Sequence, residues 1–164
     1  MPPSILDIGC GVKKYPGAVG IDRLSNTAAD IVWDLDKFPW PVEPESFDQA
    51  RLIHVIEHVG DVMGTMAEVH RILKPGGRVL IETPHYTDFS SWCDPTHRWH
   101  LNSFSFRYFG DDDAGFGYYT GVRFREVSIQ VKLLALWRYL GFQWLVNASR
   151  RFRLFWEHYL CFVV

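Results

Sequence analysis

The feature that most constrains the fold is a recurrence in the first part of the chain. Three short apolar runs each end in an acid or a glycine turn: ILDIGCG (residues 5–11), AVGID (18–22) and IVWDL (31–35). Short runs of this kind fit strands buried on both faces of a parallel sheet. Two later runs complete the pattern, and five strands are predicted at Ser4–Ile8, Ala18–Ile21, Ile31–Trp33, Phe47–Ile53 and Arg78–Glu82. Between the last two, DVMGTMAEVHRIL places Val62, Met66, Val69, Ile72 and Leu73 at helical spacing, and KPGG supplies a stop. Strand, helix and strand in succession predict a right-handed crossover and an α/β fold.

The early connections are too short for a regular repeat. Only VKKYPG lies between the glycine turn and the second strand, and RLSNTAAD between the second and third, whereas a full crossover takes roughly 10–12 residues or more. The first crossover helices are therefore vestigial, and one sheet face near the first three strands lacks its usual cover. Residues 83–131 read as irregular loop, with Pro84, Pro95, the Asp111–Asp113 run and glycines at 110, 115, 117 and 121. FREVSIQVKLL (124–134) alternates as a strand does, and residues 135–159 look helical with aromatics on one side. We expect one domain over 1–164, with a sheet-forming, ligand-binding half at 1–82, lid or substrate loops at 83–131 and a C-terminal strand and helix region at 132–164.

Composition narrows the class. The chain has 164 residues, 48% of them hydrophobic, enough for one sizeable core. It shows no signal-peptide pattern and no uninterrupted apolar run of the ~18 residues a spanning helix needs. Cys10, Cys93 and Cys161 are odd in number and far apart, which excludes a disulfide scaffold and a four-thiolate zinc site and fits a reducing cytoplasm. Residues 1–131 carry a net −6 and residues 132–164 a net +4. The acidic part lacks the basic face that phosphate backbones require, so nucleic acid is not an expected partner.

Asp7 and the Gly9-Cys10-Gly11 turn close the first strand, Asp22 the second and Asp34 the third. Ligands of open α/β sheets sit outside the carboxyl ends of the strands. A carboxylate at the second strand end accepts from a ribose diol, and one at the third reaches an adenine amino group. A nicotinamide dinucleotide fits less well: the third glycine of its fingerprint is replaced by Lys14, and Asp22 arrives too early.

These motifs resemble those of the class I S-adenosylmethionine-dependent methyltransferases, in particular a small type. The resemblance runs from LDIGCG, VKKYPG and GID through IVWDLDKFPWP, SFDQARLIHVIEHV and EVHRILKPGGRVLIETP to DPTHRWHLNSFSFRYF, over roughly residues 4–109. It implies a Rossmann-like, mostly parallel sheet with shortened first crossover helices and a C-terminal aromatic helical region, and S-adenosylmethionine as cofactor. It also implies that Asp7, Gly9, Cys10 and Gly11 surround the methionyl part, that Asp22 with its neighbour Arg23 meets the ribose, and that Asp34 with the Leu35 backbone meets the adenine. Residues from Ile53 through His54 to His58 would line the sulfonium end. Similar amino-group methylases of nucleic acids carry NPPY or DPPY after the fourth strand, where this chain has HVIEHV.

Methyl transfer needs an aligned nucleophile and often a base. His54 and His85 follow the fourth and fifth strands, and Asp94 and His97 join them through the resemblance, which places PHYTDF and DPTH in the acceptor pocket. Those four are the expected catalytic residues. An alternative reading makes Asp94 and Thr96 a turn around Pro95, with His97 bonding backbone. His97-x-x-His100 has metal-ligand spacing without the flanking thiolate or carboxylate set of a closed site, and no metal is expected. The expected reaction is methylation of a hydroxyl or amine on a small-molecule or glycan-type acceptor; the alternative is a catalytically inactive, methyltransferase-like binding module.

Trp137, Tyr139, Phe142, Trp144, Phe152, Phe155 and Trp156 are interleaved with arginines. They read first as the layer covering the thinly protected sheet face, then as a homodimer interface, then as a peripheral membrane contact. Similar proteins finish their sheet with a strand pair, for which only YLCFVV is available as second member; a truncated form or self-association is the expectation.

Overall fold

The computed structural model describes residues 2–110 and 118–160, and the chain divides into two compact units, Met1–Thr83 and Pro84–Val164. The first unit is a five-stranded, wholly parallel sheet. In chain order its strands are β1 (Ile5–Ile8), β2 (Val19–Asp22), β3 (Ile31–Val32), β4 (Phe47–Ile53) and β5 (Leu73–Glu82). Their spatial order is β3-β2-β1-β4-β5, which places the topological switch between β1 and β4. A single helix, α1 (Val62–Ile72), crosses from β4 to β5. Asp61 caps it, its carboxylate accepting from the Gly64 amide at 2.9 Å.

The two sheet faces differ. Leu6, Ile8, Ile21, Ala50 and Leu52 alternate onto one face and are almost wholly buried, as are Met66, Val69 and Ile72 of α1. The helix thus covers that face. The opposite face carries Asp7, paired in register with Gly20 on one side and Arg51 on the other, and beyond Arg51, Leu80. Val32 and Leu80 remain about half exposed. No helix forms in residues 9–18 or 23–30, as the short connections predict. Asp7 and Asp30 knit these segments instead: the Asp7 carboxylate accepts from the Tyr15 amide at 2.7 Å, and that of Asp30 from the Gly20 amide at 2.7 Å and the Lys14 ammonium.

Farther from the edge, Glu68 of α1 accepts from the Trp40 amide and from Arg71, whose guanidinium also reaches the Trp40 and Val42 carbonyls. Burial pushes the Glu68 carboxyl up, but Arg71 and the Trp40 amide outweigh it and leave it below its ordinary value. KPGG is not a separate stop. The helix ends at Ile72 and Leu73 pairs at once with Phe47, after which the register jumps to Gln49 opposite Arg78, so Lys74–Gly77 bulge within the ladder.

The second unit corrects two sequence expectations. Residues 124–134 form no strand; among them only Phe124 is bridged, to Gly110. Val131 and Leu133 do turn inward, but their backbone is held by side-chain amides. Asn147 both accepts from the Val131 amide (2.8 Å) and donates to its carbonyl (2.9 Å), while Gln143 accepts from the Leu133 amide (3.0 Å). The region after it is not one helix. It comprises α3 (Ala135–Tyr139), α4 (Phe142–Ala148), α5 (Arg150–Phe155) and a π-helical turn (Trp156–Leu160). Gly141, at φ +80°, breaks the first junction and Ser149, extended and capping Phe152, breaks the second. The tail's aromatics build a core of their own, in which Trp137, Phe142 and Trp156 pack around Val131, Leu133 and Val146 with ring centroids 5.4–5.9 Å apart.

Upstream, the described residues of 83–131 are largely irregular, with a one-turn helix α2 (Phe89–Cys93) and a 3-10 turn (Ser105–Phe109). Asp111–Asp113, Gly115 and Gly117 lie outside the described residues, as do Cys161 to Val164 of the expected final strand, of which Tyr159 and Leu160 belong to the π-helical turn.

Candidate functional site

The carboxyl ends of β1 and β4 open onto a cavity of about 290 Å³. Asp7, Gly9, Cys10 and Ile53 line it, together with Lys13, Lys14, Tyr15, Pro16 and Arg51. Gly9 is required by its surroundings: its φ is +63° and a Cβ there would lie 2.5 Å from Val55 Cγ2. Its amide donates to the Ile21 carbonyl at 2.8 Å, bending the turn across β2. Gly11, at φ +54°, donates its amide to Asp22 Oδ2 at 2.9 Å, and the Leu24 amide donates to Asp22 Oδ1 at 2.9 Å. Asp22 is thus buried and oriented by backbone on both oxygens, each retaining acceptor capacity.

Cys10 lies within the field of Asp22 and Asp7, which Lys14 opposes. Burial, reinforced by the charges of Asp22 and Asp7, pushes its thiol up, so it is a protonated wall rather than a nucleophile. Arg51 supplies positive charge as well. Its guanidinium lies 4.1 Å from the Tyr15 ring centroid, and its buried Nε has no hydrogen-bond partner among the described residues. Arg51 escaped the sequence reading because it is one cation inside an otherwise strand-like run; its register opposite Asp7 is the signal that marks it.

Arg23 is exposed beside Asp22. Asp34 is half exposed after β3, 3.8 Å from Lys37, and the Leu35 carbonyl accepts from the Trp40 indole at 3.0 Å. His54 follows β4 directly, at φ +55° in a conformation that side chains other than glycine seldom adopt. Its amide donates to the Glu82 carbonyl and its exposed ring presents Nδ1 3.5 Å from Glu57 Oε1. Glu57 is 1% exposed and neither of its carboxylate oxygens has a hydrogen-bond donor among the described residues. A buried carboxylate beside an exposed imidazole orients that ring. Glu57 was missed as a site residue, although HVIEHV sets it three residues after His54. His58 is half buried, its amide bonded to the Val55 carbonyl.

The remaining predicted residues belong to the second unit. His85 is buried, with Nδ1 2.8 Å from the Thr87 hydroxyl and Nε2 3.4 Å from Glu157 Oε1. Asp94 accepts from the Thr96 amide and hydroxyl, forming a turn around Pro95. His97 donates Nδ1–H to the Ser91 carbonyl at 3.0 Å with Nε2 3.8 Å from Asp94. Both alternatives read from DPTH are therefore present together: the turn and the Asp–His approach. His100 stacks on Trp92 at 3.6 Å and meets the Ser91 hydroxyl. A separate cavity of about 440 Å³ is lined by Tyr86, Asn102, Phe104, Arg107, Leu154, Glu157 and His158.

Comparison with known proteins follows this geometry. A family model described as a methyltransferase domain matches residues 1–145. An uncharacterised 37.1 kDa protein of a Streptomyces fradiae transposon is 32% identical, over 51% of this chain and 30% of that protein. The demethylmenaquinone methyltransferase of Tropheryma whipplei is 30% identical, over 47% of this chain and 40% of that enzyme. The chain thus spans less than half the length of these relatives. Among solved structures, an S-adenosylmethionine-dependent methyltransferase from Archaeoglobus fulgidus shares the fold, with a TM-score of 0.59 at 18% identity, covering 81% of this chain and 66% of that one.

Proposed function

The chain belongs to the methyltransferase-domain family, the class I S-adenosylmethionine-dependent enzymes, and from that premise we propose that it transfers the donor's methyl group to a hydroxyl or amine of a small-molecule or glycan-type acceptor. The observation that carries the reading is the cavity at the switch point, where Asp7 and Arg51 face it as register partners and the backbone-locked Asp22 closes the adjoining turn. The residues fit the donor: a buried guanidinium nitrogen without a hydrogen-bond partner among the described residues, two buried carboxylates, and Gly9, where the turn has no room for a Cβ.

When bound, S-adenosylmethionine supplies a methyl carbon made electrophilic by its sulfonium. In this reading Arg51 pairs with the methionyl carboxylate, and the negative potential of Asp7 and Asp22 favours the cationic end. Gly9, Cys10 and Gly11 pass close to the methionyl chain. Asp22, with Arg23 beside it, accepts from the ribose hydroxyls; Asp34 and the Leu35 backbone meet the adenine. Ile53, His54 and His58 line the reacting end.

His54 is the preferred base. With Nδ1–H directed at Glu57, Nε2 is the atom that takes the acceptor proton as the methyl group moves. His85 and His97, whose rings are buried, together with Asp94, serve in this reading to shape the acceptor loop. The small-molecule acceptor is supported by the demethylmenaquinone methyltransferase relative; the glycan-type preference rests on the sequence resemblance alone.

The test is calorimetric titration with S-adenosylmethionine and S-adenosylhomocysteine, with NADH as comparison. Both adenosyl ligands bind and Arg51→Ala weakens them about 10- to 100-fold, as loss of a charge-assisted pair requires. Folded protein that binds neither, or binds NADH instead, overturns the reading. Binding without turnover on a panel of hydroxyl and amine acceptors makes the chain a donor-binding module.

A further inference from the structure

The segment from α3 through the Gly141 turn into α4 faces its apolar side chains outward. Leu134, Leu136, Tyr139, Leu140, Trp144 and Leu145 are all exposed, with Leu136 at 63%, Tyr139 at 89% and Trp144 at 72%. No residue of α3 is buried, and Val146 is the one buried residue of α4. The neighbouring aromatics Trp137, Phe142 and Trp156 already supply the core, so the outward set is surplus to folding. Apolar surface concentrated in this way marks a contact site.

Charge decides what the contact is. Arg138 and Arg151 are exposed, and the single acid of residues 132–164, Glu157, is buried. A second copy docking through this face across a two-fold axis would set these cations against themselves with no exposed acid of the segment to pair them. An anionic lipid surface satisfies both properties at once, taking cations at its headgroups and Tyr, Trp and Leu at the acyl boundary. Among the described residues no helix is long and apolar enough to cross a membrane, so the contact lies in the plane of the interface.

We propose that α3 and α4 seat the protein on an anionic bilayer surface, with Leu136, Tyr139 and Trp144 inserted at the interface and Arg138 and Arg151 over the lipid phosphates. The proposal stands independently of the donor chemistry.

The experiment is co-sedimentation of the full chain with vesicles of phosphatidylcholine containing about one third phosphatidylglycerol, against pure phosphatidylcholine, read alongside tryptophan emission. The protein sediments with the anionic vesicles, its emission shifts to the blue, and salt reverses both. Replacing Arg138 and Arg151 by Gln lowers the partition by about fivefold per arginine. The triple variant Leu136→Ser, Tyr139→Ser, Trp144→Ser loses sedimentation while its circular dichroism is unchanged, since all three side chains are exposed. Wild-type protein that stays in the supernatant, or a triple variant that sediments as wild type, overturns the proposal. So does a concentration-dependent dimer abolished by the triple variant without any vesicle binding, which would give the surface to a second copy.

Discussion

The two units solve the same problem with opposite materials. In the first, the loops replacing the missing crossover helices are fastened by carboxylates to backbone amides: Asp7 to Tyr15, Asp22 to Gly11 and Leu24, and Asp30 to Gly20. In the second, a strand-like segment with no neighbouring strand is fastened by carboxamides, Asn147 and Gln143, one helical turn apart on α4. Carboxylates at a strand edge retain acceptor capacity, which suits ligand binding. Carboxamides satisfy donor and acceptor together, which suits a buried joint.

The comparison breaks most readily in the second core. Trp156→Ala removes the ring on which Trp137 and Phe142 converge and is expected to cost about 3–5 kcal/mol in urea unfolding. A loss below about 1 kcal/mol, the scale of an ordinary exposed substitution, would mean that the aromatic cluster is not a core.

Gly9→Ala comes next. It forces a side chain onto φ +63° and into Val55, with an expected loss of about 2–3 kcal/mol and of donor binding together. Wild-type binding in that variant would detach the turn from the site.

The carboxamide joint is tested by Asn147→Leu, which leaves the Val131 amide and carbonyl without their partner and is expected to cost about 1–3 kcal/mol. A neutral result would make the joint dispensable.

The smallest effect is a pH dependence in the first unit. Hydrogen bonds from Lys74 and from the Ser4 amide and hydroxyl lower the Asp48 carboxyl to about 2. A carboxyl held below its unfolded value contributes fully above that value, near pH 4, and loses its contribution as pH falls toward 2. Asp48→Asn therefore flattens the acid limb of the stability profile between those pH values, with the slight amplitude of an exposed group; an unchanged limb would contradict it.

The first unit was legible because a parallel sheet writes itself as short apolar runs, and α1 because Val62, Met66, Val69 and Ile72 keep helical period. The position of Asp7 and Asp22 at strand ends was legible for the same reason, while the roles expected of them toward a donor came from the resemblance. Arg51 and Glu57 were not. Each is a charged residue inside an apolar stretch, and its meaning depends on a register or on a neighbouring imidazole that periodicity does not encode. In the second unit, period-two alternation around Val131 and Leu133 reads as a strand because the pattern reports which side is buried, not what bonds the backbone. Gly141 and Ser149 break the run in the structure, but the continuous aromatic pattern between and after them carries the stronger helical impression.

The central claim is that the carboxyl edge of β1, β2 and β4 holds the donor. It is tested most directly by amide hydrogen exchange with and without S-adenosylhomocysteine. The account predicts added protection in the segments carrying Gly9–Gly11, Asp22–Leu24 and Ile53–His58, reduced in Arg51→Ala. Protection confined to other segments, or equal protection of these by NADH, would contradict it.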